Sequence, residues 1–206
     1  MLLVLSGALL LAGAYCFRID REAANYFRAR LKRPLWRFGF KVTDFAKGGL
    51  WIGGAAVAYL TVQTLMAWQG ETPLLRETGD YSLALLGSFV VGSAVLHGIK
   101  IFVGRRRPRD DAEHGLYGFK YFTWELQFDS FPSGHAMTMF CVAVVLSAAL
   151  PAFAVLWLAI AAAFGVLRAF LTAHFFSDIF VGGAIGILAA RETLAFGFPH
   201  LYPSWF

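Results

Sequence analysis

Residues 132–178 read PSGHAMTMFCVAVVLSAALPAFAVLWLAIAAAFGVLRAFLTAHFFSD. Two apolar runs, 134–150 and 152–167, are separated by Pro151 alone, and the polar and basic residues sit at their outer ends. A helix that crosses a bilayer takes about 20 mostly apolar residues. A proline between two such runs predicts a tight helical hairpin. Residues 1–17, 49–68, 81–102 and 178–196 have the same character, which makes six candidate spans. The first lacks the basic start of a secretory signal and reads as an uncleaved anchor. The expectation is an all-α, polytopic membrane protein: six transmembrane helices in one bundle, a single domain over 1–206, without repeats.

Composition agrees. The 206 residues are 58% hydrophobic and only 15% charged, against roughly a quarter charged in soluble domains. Lys and Arg outnumber Asp and Glu by 18 to 13. These bases flank apolar segments, so anionic head groups rather than nucleic acid are the expected partner. Cys16 and Cys141 both lie in apolar runs and read as small buried hydrophobes, and no Cys/His spacing resembles a metal or haem site.

Two connecting stretches are not spans. Over 20–33 an apolar stripe at Ala23, Phe27 and Leu31 opposes Arg21, Asn25, Arg28 and Lys32. That spacing predicts an amphipathic helix in the membrane interface; a solvated basic connector is the plainer alternative. Pro34 ends it, and Trp36, Phe38 and Phe40 follow as interfacial aromatics. Residues 109–131 turn from acidic (Asp110, Asp111, Glu113) to aromatic (Tyr117, Phe119, Tyr121, Phe122, Trp124, Phe128). Such a loop either covers a site or anchors in the interface.

Charged groups are costly at membrane depth, so clusters of them point to function. One cluster closes the third span, from Lys100 through Arg105-Arg106-Arg107-Pro108. The second, Pro132-Ser133-Gly134-His135, opens the fourth. The third, Arg168, His174 and Asp178, joins the fifth to the sixth. Because spans alternate in direction, all three open on one face. Lys100, Arg107 and Arg168 with the helix-start residues Ser133 and Gly134 suit a phosphate. No carboxylate cluster would hold a metal, so the cations must stabilise the transition state. Asp178 can orient His174 for attack on phosphorus, and His135 can protonate the leaving oxygen. Taken singly, each has a structural reading. His97, His114 and His200 read as hydrogen-bonded histidines, Arg105, Arg106 and Arg109 as head-group contacts, and Arg168 with Asp178 as a structural pair.

Lys-x6-Arg-Pro, Pro-Ser-Gly-His and Arg-x5-His-x3-Asp, in this order over 100–178, resemble the signature of the type 2 phosphatidic acid phosphatase (PAP2) superfamily. The resemblance implies a cofactor-free, metal-independent hydrolase working through a phosphohistidine. In it His174 is nucleophile, His135 general acid, Asp178 partner of His174, and Lys100, Arg107, Arg168, Ser133 and Gly134 phosphate ligands. Leu167 stands where many members have Ser. Vanadium haloperoxidases share the motifs, but as soluble proteins.

The resemblance further implies a phosphorylated lipid as substrate: lipid A, undecaprenyl pyrophosphate, phosphatidylglycerol phosphate or phosphatidate. The basic, aromatic surround favours a large anionic head group such as lipid A. It also implies the bacterial inner membrane with the site on the periplasmic face. Charge opposes that side. Nine bases within 18–47, six within 100–120 and Arg168 share the motif face, against Arg76 and Arg191, which by the positive-inside rule would make that face cytoplasmic. The reading follows the family, since substrate binding and interfacial docking also demand bases. Two other functions stay open: phosphotransfer to a lipid acceptor on the same fold, and non-catalytic lipid binding or transport.

Overall fold

The computed structural model describes residues 1–30 and 32–206; of Arg33, Ala112 and Glu113 it describes the backbone only. Leu31, the last member of the apolar stripe, lies outside the described residues. The helices in chain order are α1 (Leu2–Cys16), α2 (Asp20–Arg30), α3 (Arg33–Thr43), α4 (Gly48–Gln69), α5 (Pro73–Phe102), α6 (Pro108–His114), α7 (Gly134–Ala149), α8 (Ala154–Phe170) and α9 (Phe176–Glu192). A two-stranded antiparallel hairpin, β1 (Val103–Arg105) with β2 (Phe119–Tyr121), lies between α5 and α7.

All six apolar segments are helical. Among the described residues four helical runs are long and apolar enough to cross a membrane: Pro34–Gln69, Pro73–Phe102, Pro151–Phe170 and Phe176–Gly197. Leu2–Cys16 with Asp20–Arg30 forms a fifth candidate, bent by 80°, and Gly134–Ala149 is shorter. The reason α7 tolerates its brevity is its place: it is the central helix, packed against α5, α8 and α9 and buried on nearly every side. Val57, Leu60, Val90 and Val155, by contrast, point outward from α4, α5 and α8, as a lipid-facing surface requires.

Glycines set the closest approach. A Cβ on Gly182 would lie 2.3 Å from the Ser133 carbonyl oxygen, and one on Gly186 would lie 2.4 Å from that of Met137. The backbones of α7 and α9 therefore touch, as small-residue interfaces between membrane helices do. The crossing fixes the start of α7 against the start of α9: the Ser133 N–H donates to the Asp178 carbonyl at 2.9 Å. Gly182→Ala is expected to cost about 1–3 kcal/mol of overpacking and to lower the melting temperature in detergent by roughly 2–12 °C. Gly53→Ala on α4, where a Cβ meets nothing within 4 Å, is the control and should melt with the wild type.

Two expectations change in detail. Residues after Pro34 form a second amphipathic helix, α3, with Pro34 in its first turn, a position that needs no N–H donor. The stripe of α2 faces protein as well: the Phe27 ring lies 4.5 Å from Phe170 and 6.0 Å from Phe176, and Arg21 grips Asp111 of α6 with two bonds of 2.7 and 2.8 Å. Both helices thus cap the bundle at the end where the motif residues gather. Cys16 and Cys141 are buried free thiols.

Candidate active site

The three clusters converge at that end. Lys100 sits in the last turn of α5, and Arg107 leads into α6. Gly134 and His135 open α7, and His174 lies in the turn between α8 and α9. These five line one cavity of ≈ 290 Å³ with Lys47, His97 and Asp129. The rings of His135 and His174 are 6.2 Å apart, too far to bond each other and close enough to flank one phosphoryl group.

His174 is buried, and its Nδ1 lies 2.9 Å from the Ser130 carbonyl oxygen. A carbonyl only accepts, so Nδ1 carries the hydrogen and Nε2 keeps its lone pair. Burial pushes the imidazole down to about 4, with Asp178 pulling against it and Arg107 and Arg168 reinforcing it. The ring is therefore neutral at pH 7. The Asp178 carboxylate is 3.7 Å from Nδ1, beyond hydrogen-bonding range, so it acts on the ring through charge and through Ser130. Its Oδ2 accepts the Ser130 hydroxyl at 2.6 Å and the Phe175 N–H at 2.9 Å.

The phosphate-ligand candidates fall into two groups. Arg107 presents its fork to Asp129, with Nε and Nη2 each 2.8 Å from a carboxylate oxygen, and Lys100 donates to the Asp129 carbonyl. Burial acts to raise the Asp129 carboxyl, but Arg107 and Lys100 outweigh it and hold it below the usual carboxylate range. A bidentate carboxylate has the geometry a phosphate would adopt on the same fork. Arg168 and Ser133 lie behind the cavity wall. Arg168 is buried at the end of α8, donates to Thr43 Oγ1 at 3.1 Å and lies over the Phe40 ring at 5.2 Å. Its Nε has no partner among the described residues. The Ser133 hydroxyl caps α7 by accepting the Ala136 N–H at 3.4 Å, which leaves the Gly134 and His135 amides as first-turn donors outside the helix's own bonding.

The site has a buried centre that the motifs do not announce. Arg105, read as a head-group contact, is fully buried. Its Nη1 donates to Ser177 Oγ at 2.7 Å and to Asp178 Oδ1 at 2.8 Å. Its Nη2 donates to Asp20 Oδ2 at 3.0 Å and to the Tyr117 hydroxyl at 3.3 Å. Arg105, not Arg168, is the ion-pair partner of Asp178. Burial raises the Asp20 carboxyl above its ordinary value, and Ser177 and Arg105 pull against that rise. Tyr117 and Phe119 pack around the Arg105 guanidinium, whereas Phe122, Trp124 and Leu126 are exposed. Of the histidines read as structural, His200 pairs with Asp80 at 2.9 Å and His97 bonds the Ser93 carbonyl at 2.8 Å. Among the described residues no three His, Cys, Asp or Glu side chains converge as metal ligands.

A bundle of apolar helices with this histidine-and-arginine pocket at one end defines a class. The chain belongs to the PAP2 superfamily, whose sequence pattern matches residues 81–200 and so includes all three clusters. It is 28% identical over 144 residues to the lipid A 1-phosphatase of Rhizobium etli (65% of this chain, 62% of that protein). It is 30% identical over 133 residues to the lipid A 1-phosphatase of Rhizobium johnstonii (59% and 54%). The matched stretch thus spans less than two thirds of either relative. In fold it is similar to LpxE of Aquifex aeolicus, with a TM-score of 0.59 at 19% identity, covering 86% of this chain and 96% of that one. It is also similar to the first transmembrane PAP2 type phosphatidylglycerolphosphate phosphatase from Bacillus subtilis, with a TM-score of 0.61 at 20% identity, covering 100% and 97%.

Proposed function

We propose that this protein is a metal-independent phosphatase of a phosphorylated membrane lipid. The observation that carries the proposal is the bond from His174 Nδ1 to the Ser130 carbonyl, which leaves Nε2 as a neutral nucleophile in a cavity shared with Lys100, Arg107 and His135. Nε2 attacks phosphorus, the bond to the lipid oxygen breaks, and His135 gives that oxygen its proton. The phosphoryl group is then on His174. Water, giving a proton back to His135, attacks phosphorus; the phosphorus–nitrogen bond breaks, its electron pair returns to His174 Nε2, and inorganic phosphate is freed. Arg107, Lys100 and the Gly134 amide bind the phosphoryl oxygens, while Arg168 acts from behind the cavity wall through its charge and Ser133 by capping α7. The Arg107 fork exchanges the Asp129 carboxylate for phosphate. The incoming phosphate also brings negative charge, which favours the proton on His135 against the surrounding cations.

The substrate we favour is lipid A or a related lipid with a large anionic head group. The basic lining of the cavity, with Lys47, Lys100 and Arg107, supports this, as does the likeness to the two Rhizobium lipid A 1-phosphatases. The membrane is the bacterial inner membrane, with the site on the periplasmic face. Phosphate release measured in EDTA from a panel of lipid A, undecaprenyl pyrophosphate, phosphatidylglycerol phosphate and phosphatidate tests the reading. Release that persists in chelator with lipid A preferred is expected. Loss of activity in EDTA contradicts the metal-free scheme, a clear preference for phosphatidate contradicts the substrate, and a phosphorylated lipid in place of free phosphate identifies a transferase.

A further inference from the structure

We infer that Asp20, on the interfacial helix α2, and Arg105, on β1, are positioning residues for the nucleophile, acting through Asp178. The inference rests on the reading of His174 given above. Asp20 lies outside the three clusters, and Arg105, inside the first of them, has no part in the proposed chemistry. Asp20, Arg105 and Asp178 are nonetheless all buried to 1% exposure or less, and they come from three separate parts of the chain.

The path to the imidazole is short. His174 is held by the Ser130 carbonyl, and the Ser130 hydroxyl is held by Asp178 Oδ2, which also accepts the Phe175 N–H. Both sides of the ring's mounting, the loop at Ser130 and the turn at 173–176, therefore depend on where that one oxygen points. Arg105 fixes the carboxylate from its other oxygen, with Nη1 on Oδ1. A guanidinium beside a carboxylate prefers to engage both oxygens with two parallel bonds. Were Arg105 to do so, its second arm would compete with Ser130 and Phe175 for Oδ2. Asp20 prevents this by drawing Nη2 to itself at 3.0 Å. The other Asp20 oxygen accepts the Ser177 N–H at 3.1 Å, so the same carboxylate also fixes the first turn of α9. Removing buried ion pairs in favour of apolar packing is often neutral or stabilising, so three buried charges are poor staples. What they supply here is direction.

The test is steady-state phosphate release by the purified full chain, well below its melting transition, where a loss of stability alone leaves kcat unaltered. Asp20→Asn is expected to lower kcat about ten- to a hundredfold. KM should stay within about twofold, because the cavity ligands Lys100 and Arg107 are untouched. Arg105→Lys should do the same, since one ammonium cannot span both carboxylates. Adding Asp20→Asn to Arg105→Lys should then cost less than about twofold more, the two residues being coupled. An Asp20→Asn enzyme with wild-type kcat, a loss confined to KM, or losses that multiply in the double variant would overturn the inference. If Arg105→Lys does not fold, the kcat and KM of Asp20→Asn decide alone. His174→Ala separates the two levels. If it is active, the nucleophile reading fails whatever Asp20 does; if it is dead while Asp20→Asn is normal, only the positioning role fails.

Discussion

His174→Ala is expected to lower phosphate release by on the order of 10^4-fold or more, with the folded protein otherwise intact. Removing the attacking group of a unit that works by covalent catalysis leaves only what binding and charge contribute. The structural cost is small by comparison. The ring donates one bond, to Ser130, and burial already disfavours its charged form, so a neutral replacement strands no charge. A lipid-binding or transport protein would tolerate the change, which makes kcat of this variant the sharpest divide between an enzyme and a non-catalytic protein.

Arg107→Ala is expected to lower kcat/KM by about 10^2- to 10^3-fold, the range for loss of one preorganised donor to a developing negative charge. Arg107→Lys should recover only part of it, because an ammonium keeps the charge and loses the fork. Stability should hardly move. The ion pair with Asp129 is partly exposed, at 21% and 35% for the two side chains, and such pairs contribute about 0–1 kcal/mol. Activity measured beside a melting curve therefore separates substrate grip from folding. Equal falls in both would mean that Arg107 is structural and that its bond to Asp129 is its purpose.

Much of this site is legible in the sequence because alternation of apolar spans is a strong constraint. Once 81–102, 134–150, 152–167 and 178–196 are helices of opposite direction, Lys100, His135 and His174 must open on one face, and the structure places all three on one cavity. The buried centre is harder to read, since the two carboxylates that Arg105 pairs with lie 73 and 85 residues from it in sequence. Arg105 sits in a run of three arginines, and nothing in the run distinguishes it from Arg106, which lies over Phe128. Asp20 did leave a signal. It falls three and seven residues before Ala23 and Phe27, on the same helical stripe, and a carboxylate on an apolar stripe asks for a buried partner. The helix at α3 was obscured because Pro34 reads as a stop when it is also a good first-turn residue.

The most direct measurement is of the covalent step. Mixing the enzyme with a lipid labelled by ³²P at its phosphate and quenching within the first turnover is expected to leave label on the protein. As a phosphohistidine it should survive alkali and be released by acid, and it should be absent from His174→Ala. Label that maps to another residue, or an active wild type that never carries label through a turnover, would contradict the account.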